Sequence, residues 1–200
     1  MRKRSTAEKA DISVGDAVAP GRNSLFVRAA GKASELADQP PLITICAITF
    51  AAGLILGNGR LARAGGRMLA AELLATEIKS AVKHRIDRTR PFVRANGGRY
   101  KAEKGHAHAS ALNSFPSGHT AGAVAVARAY AREYPERAAT AYGIAAATGA
   151  IQIPRGKHYP SDVLAGLAVG LVAEAGVYLA ERLIGRIAKH DKAKAGALEP

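Results

Sequence analysis

From Gln39 to Gly59 the chain carries no charge: QPPLITICAITFAAGLILGNG. A run of that length is about what crosses the hydrocarbon core of a bilayer, and it also suits a buried helix of a soluble protein. Further apolar segments follow it, which favours crossing. The spacing predicts five helices, at about Pro41–Leu56, Gly66–Ile86, Gly118–Glu133, Glu136–Ile153 and Pro160–Ile187. Their Ala and Gly content permits close helix–helix approach. No alternating strand pattern and no internal repeat is visible. The fold class is therefore all-α, an antiparallel helical bundle with transmembrane helices. Arg128 and Arg132 interrupt the third helix and Glu174 and Glu181 the fifth, so the membrane signal is weaker than in a typical transporter.

Three regions divide the chain. Residues 1–40 form a polar N-terminal segment, in which 24–39 reads as a short amphipathic helix or as part of a loosely ordered tail. Residues 41–187 form the helical domain, and 188–200 a flexible basic tail. The opening MRKRSTAEKADISVGDAVAP has basic residues but no apolar core behind them, unlike a cleavable secretion signal.

A net charge of +13 points to an anionic partner: nucleic acid, an anionic membrane surface or a phosphate. The single cysteine, Cys46, excludes an intramolecular disulfide framework and a Cys-based zinc site.

Chemistry-bearing residues fall in three clusters, each beside a helix break. The first is KHRIDRTRP, Lys83–Pro91. If the helix persists past Lys83, Lys83 and Arg90 stand two turns apart on nearly one face, able to clamp a phosphate. Solvated basic flanks of a membrane helix read the same way. The second is SFPSGHTAG, Ser114–Gly122. Ser117 is a natural N-cap, the free N–H groups of the first turn suit an anion, and Gly118 permits close approach. His119 would sit beside that anion as a proton donor or acceptor; a capped helix with an incidental histidine is the plainer alternative. The third is IQIPRGKHYPSD, Ile151–Asp162. Pro160 fits a first helical turn, and Asp162, four residues after His158, could hold one of its ring nitrogens. Each signal is weak alone. Alternate connections, however, bring all three to one end of an antiparallel bundle.

With these residues in place, the chain resembles the type 2 phosphatidic acid phosphatase family, which shares its core with vanadium-dependent haloperoxidases. The family's first signature, Lys, six residues, Arg-Pro, matches Lys83, Arg90 and Pro91. The second, Pro-Ser-Gly-His, matches Pro116, Ser117, Gly118 and His119. The third, Ser-Arg, five residues, His, three residues, Asp, matches His158 and Asp162. Ile151–Gln152 stand where Ser-Arg should be, and Arg155 is a candidate to supply the missing cation from another backbone position.

The resemblance implies a membrane phosphatase acting on a lipid phosphate or isoprenyl diphosphate through a phosphohistidine, without metal or other cofactor. His158 would be the nucleophile, Asp162 its support, and His119 the acid and base. Lys83, Arg90, Ser117, Gly118 and either Arg155 or Gln152 would hold the phosphate oxygens. It also implies a multi-pass protein of a bacterial-type inner membrane, partnered by the lipid and not by nucleic acid; oligomeric state is not readable. Five crossings would put the two termini on opposite sides, whereas the family commonly has six. Basic residues at 60–67 and 182–194 fit a cytoplasmic face opposite the site, and the basic N-terminus argues the other way.

Two alternatives stand beside this. A vanadate-dependent haloperoxidase keeps the fold, although those proteins are usually larger and soluble. A non-catalytic anion- or nucleic-acid-binding protein could use the basic loop 83–104, but only Phe92 and Tyr100 offer stacking, and the histidines stay unexplained. The remaining histidines are plainer. His84 points to another helix face than Lys83, His190 is in the tail, and His106 and His108 lack a nearby third metal ligand. Arg85, Arg88, Arg94 and Arg99 steer an anion or solvate the loop.

Overall fold

A computed structural model describes residues 4–105 and 109–196. In chain order, the helices are α1 (Thr6–Val18), α2 (Leu25–Ser34), α3 (Gln39–Ile55), α4 (Gly59–Lys83), α5 (Pro91–Ala95), α6 (Gly118–Glu133), α7 (Ala138–Ile151) and α8 (Pro160–Gly196). Two short strands, β1 (Ile86–Arg88) and β2 (Ala102–Lys104), pair antiparallel with Asp87 opposite Glu103.

Capping explains several of the boundaries. Ser5 and Glu8 form a capping box at α1, Ser24 accepts from the Val27 N–H at α2, and Asn58 accepts from Leu61 at α4. Asp38 caps α3, with prolines in its first turn.

Helix α6 lies at the centre and packs against α3, α4, α7 and α8. The core is built from small side chains: Ala71, Ala75, Ala125, Ala129 and Ala173 surround Cys46 and Met68. Small residues matter most between α6 and α8. A Cβ on Gly166 would lie 2.5 Å from the Ser117 carbonyl oxygen, and one on Gly170 would lie 2.5 Å from that of Ala121. The two backbones therefore run almost in contact, which is how the start of α8 is held against the start of α6.

The charges that interrupt α6 and α8 answer one another. Arg128 and Arg132 both pair with buried Glu174. At the end of the bundle away from residue 118, Arg67 pairs with Glu133 and Glu181, and Arg60 with Glu136. Outward, the bundle is apolar: Ile55, Ile144 and Ile184 are 83%, 64% and 67% exposed. Bulky aliphatics facing outward on three helices match a lipid contact better than water. Among the described residues, Pro160–His190 alone is long and apolar enough to cross a membrane. Leu25–Ala37 with Gln39–Ile55 qualifies as a pair, bent by 55°.

All five expected helices are present, with shifted ends. The second begins at Gly59 and stops at Lys83, and the fifth continues as helix to Gly196 through much of the expected tail. The N-terminal segment forms α1 and α2, which pack on the bundle. The stretch between the second and third expected helices carries α5 and the small sheet. His106 and His108 lie outside the described residues.

Candidate active site

Helix α4 ends at Lys83, where the His84 N–H closes the last turn on the Ser80 carbonyl. The chain then turns into β1. Lys83 and Arg90 are therefore not two turns apart on one helix, as the spacing suggested. They meet by another route. Lys83 Nζ and Arg90 Nη2 donate to the same carbonyl oxygen, that of Asn113, at 3.3 and 3.2 Å, and Arg90 Nε donates to the Ser110 carbonyl at 2.9 Å. Arg90 sits at the N-cap position of α5, with Pro91 opening that helix.

Ser117 caps α6, its hydroxyl oxygen accepting from the Thr120 N–H at 3.4 Å and from the Thr120 hydroxyl at 2.9 Å. The Ser117 side chain is fully buried, so at this turn Gly118 and His119 are the residues that reach the cavity. His119 Nε2 has no hydrogen-bond partner among the described residues, and the Glu35 carboxylate lies 3.7 Å away.

His158 precedes α8. Its Nδ1 lies 2.7 Å from the Ser114 carbonyl oxygen. A carbonyl only accepts, so this nitrogen carries a proton, and in the neutral ring Nε2 is left with its lone pair. Burial first, then the charges of Arg90 and Lys83, push the imidazole well below its usual pKa and keep it neutral. Asp162 does not hold the ring directly, contrary to the sequence expectation: the closest approach is 3.9 Å. Instead it accepts from the Ser114 hydroxyl at 2.6 Å and the Tyr159 N–H at 2.8 Å, and it pairs with Arg88. Its backbone carbonyl accepts from the Ser117 N–H at 3.0 Å, tying the second cluster to the third.

Arg88 is neither a surface cation nor part of a solvated loop. It is buried and bridges Asp162 to Asp11 of α1, at 2.7 Å from the latter. Asp11 in turn accepts from the Ser161 N–H at 3.0 Å.

At the end of α7, Gln152 is 0% exposed and does not line the cavity. Arg155 does. Its Nη1 donates to the Gln152 Oε1 at 3.2 Å and to the Ser34 hydroxyl at 2.8 Å, and Nη2 donates to Glu35. Lys157 donates to the same Glu35 oxygen at 2.9 Å.

These side chains enclose a polar cavity of about 550 Å³, whose lining includes Lys79, Lys83, Arg90, Arg155, Lys157, Gly118, His119 and His158, together with Asp38 and Arg22. Lys79, Lys157, Glu35, Ser114 and Asp11 were not singled out from the sequence. Lys79 had a signal, since it lies one helical turn before Lys83. Glu35, Asp38 and His119 bring possible metal-ligating atoms within 4.8 Å of one another. Arg155 and Lys157 already occupy one Glu35 oxygen, and the surrounding field is cationic. The cavity therefore favours an anion over a dication.

Comparison with known proteins agrees with this geometry. The family model described as the PAP2 superfamily matches residues 64–185. A lipid A 1-phosphatase of Porphyromonas gingivalis is 37% identical over 113 residues, covering 52% of this chain and 25% of that protein. One of Rhizobium johnstonii is 36% identical over 93 residues, covering 46% and 38%. The match thus spans well under half the length of these relatives. Among solved structures, a transmembrane PAP2-type phosphatidylglycerolphosphate phosphatase from Bacillus subtilis superposes with a TM-score of 0.65 at 18% identity, covering 90% of this chain and 89% of that one. LpxE of Aquifex aeolicus superposes with a TM-score of 0.58 at 18% identity, covering 83% and 93%.

Proposed function

The chain belongs to the PAP2 superfamily, and from that premise, with lipid A 1-phosphatases and a phosphatidylglycerolphosphate phosphatase among the proteins it resembles, we propose that it hydrolyses a membrane lipid phosphate through a phosphohistidine. The observation that carries this reading is His158: neutral, with Nδ1 engaged by Ser114 and Nε2 unprotonated, at the wall of a cavity lined by lysines and arginines.

In the proposed reaction, Nε2 attacks phosphorus while the bond to the leaving oxygen breaks, and His119 delivers a proton to that oxygen. His119, now neutral, takes a proton from water. The hydroxide attacks phosphorus, the P–N bond breaks, and inorganic phosphate leaves with His158 restored. Lys83, Arg90, Arg155 and the Gly118 N–H hold the equatorial oxygens as charge redistributes, in a turn kept in shape by Ser117. Fixed cations and a helix terminus supply the electrostatics, so the reaction as proposed draws on no metal.

The lipid part of the reading rests on the exposed aliphatic belt and on a second, apolar cavity of about 990 Å³ between α2, α3, α6 and α7. Ser34 lines that cavity and bonds Arg155 at the edge of the polar one, so an acyl chain and a phosphate fit side by side. Phosphatidic acid, a phosphatidylglycerol phosphate, an isoprenyl diphosphate and a lipid A 1-phosphate are the substrates to compare. The bundle is read as multi-pass, with the Arg60–Arg67 end cytoplasmic; reporter fusions at residues 20 and 195 test this.

The deciding experiment is phosphate release from these lipids by the purified protein in detergent with EDTA. Wild type should turn over at least one, and His158→Ala should lose turnover by several orders of magnitude. Full activity in His158→Ala would end the mechanism, and loss of wild-type activity in EDTA would end its metal independence.

A further inference from the structure

Arg155 reaches the cavity from a turn rather than from position 152, and α2 is shaped around it. We propose that Gly31 and Ser34 of α2 are positioning residues that hold the Arg155 guanidinium against the substrate phosphate. The proposal rests on the reading that Arg155 contacts that phosphate.

Three observations carry it. First, a Cβ on Gly31 would lie 2.7 Å from Arg155 Nε and 2.9 Å from its Cδ. The arginine lies flat against α2 at the one place where the helix has no side chain, and any larger residue there must displace it. Secondly, the Ser34 hydroxyl is saturated. It donates to the Gly31 carbonyl at 2.7 Å and accepts from Arg155 Nη1 at 2.8 Å and from Gln152 Nε2 at 3.1 Å. One donor and two acceptors exhaust a hydroxyl, so the group is specified by both partners at once. Thirdly, Gln152 is oriented by its amide nitrogen on Ser34 and on the Thr148 carbonyl at 3.0 Å. That turns its oxygen toward Arg155. A buried, uncharged residue at 152 thus acts behind the cation, not in place of it.

An arginine carries large rotamer freedom, and its fork binds phosphate well only when it is held in plane. The α2 contacts remove that freedom before substrate arrives. Glu35 is a different matter: its carboxylate balances Arg155 and Lys157 and would yield to the phosphate.

The test is a double-mutant cycle read by the binding of inorganic phosphate to the full-length protein in detergent, which needs no turnover, with kcat/KM beside it. Gly31→Val and Ser34→Ala are each made in wild type and in Arg155→Ala. Expected in wild type is a roughly tenfold to hundredfold loss of kcat/KM for Gly31→Val. Phosphate affinity should weaken several-fold in both variants. In the Arg155→Ala background both substitutions should fall to within about twofold of no effect, since the group they position is gone. Ser34→Ala adds no volume, so it carries the test if Gly31→Val does not fold. Equal losses in both backgrounds would mean that α2 acts structurally and would overturn the proposal. So would unchanged affinity in the α2 variants when Arg155→Ala weakens phosphate. If Arg155→Ala itself leaves phosphate affinity and turnover untouched, the underlying reading of Arg155 fails instead.

Discussion

The carbonyl oxygen of Ser114 receives the Nδ1 proton of His158 at 2.7 Å, while the Ser114 hydroxyl donates to Asp162 at 2.6 Å. One residue of the loop before α6 therefore stands between the histidine and the carboxylate that the His-x-x-x-Asp spacing seemed to pair directly. The backbone group does the orienting, and the carboxylate acts from 3.9 Å.

Ser114→Ala keeps that carbonyl and loses only the hydroxyl bond to Asp162. Its kcat should fall by about ten- to a hundredfold, in line with one hydrogen bond to a charged group. Asp162→Ala should behave quite differently, because it strips a counter-charge from buried Arg88 and leaves Asp11 alone to balance it. Breaking a buried pair in this way costs about 3–5 kcal/mol. Thermal melting of the two variants in detergent should therefore separate them, with Asp162→Ala far less stable.

The depressed pKa of His158 makes a prediction about pH. Above its unfolded value of about 6.5, both folded and unfolded chains hold this ring neutral and it adds nothing to pH dependence. As pH falls below that value, the unfolded chain takes up a proton that the buried ring refuses. Stability should then decline by at most about 1.4 kcal/mol per pH unit, until the lower folded pKa is reached. His158→Asn should show a shallower loss of melting temperature on acidification. Parallel pH curves for the two proteins would contradict the assignment of the ring as neutral.

Lys83 and Arg90 share one carbonyl acceptor, although a strand and a turn separate them. If both hold phosphate oxygens, each alanine variant should lower kcat by about 10²–10³-fold. The pair should be less than additive, since loss of either leaves the other to shift toward the phosphate. Steady-state kinetics of the two single variants and the double would check this.

The bundle was legible because its helices announce themselves locally: apolar runs separated by GNG, NSFPS and IPRGKHYP. Once α4 ends, α6 starts, α7 ends and α8 starts at the same face, the three clusters must meet. Even the interruptions of α6 and α8 were complementary, Arg128 and Arg132 against Glu174. What stayed hidden depends on contacts between residues distant in sequence. Asp11 meets Arg88 across 77 residues, and Ser34 meets Arg155 across 121. Neither has a periodicity to betray it. The strands β1 and β2 are three residues long, too short for alternation to show. The Lys83–Arg90 spacing misled for the opposite reason: it fits two helical turns, but the helix stops at the first of the pair.

Glu35 offers a test of the cavity's electrostatics. One of its oxygens accepts from Arg155 and Lys157, and the other lies 3.7 Å from His119 Nε2. An incoming phosphate needs those same donors, so the carboxylate and the substrate compete. Glu35→Gln removes the charge and keeps the shape. Because the Glu35 side chain is 40% exposed, water screens the pair, and the competition is worth about 1 kcal/mol. Inorganic phosphate should then inhibit the variant about fivefold more tightly. If phosphate release limits turnover, kcat should fall as that affinity rises, even though no donor to the substrate has been removed. An inhibition constant that is unchanged or weaker would show that Glu35 assists anion binding by ordering Arg155 and Lys157, not by standing in for the anion.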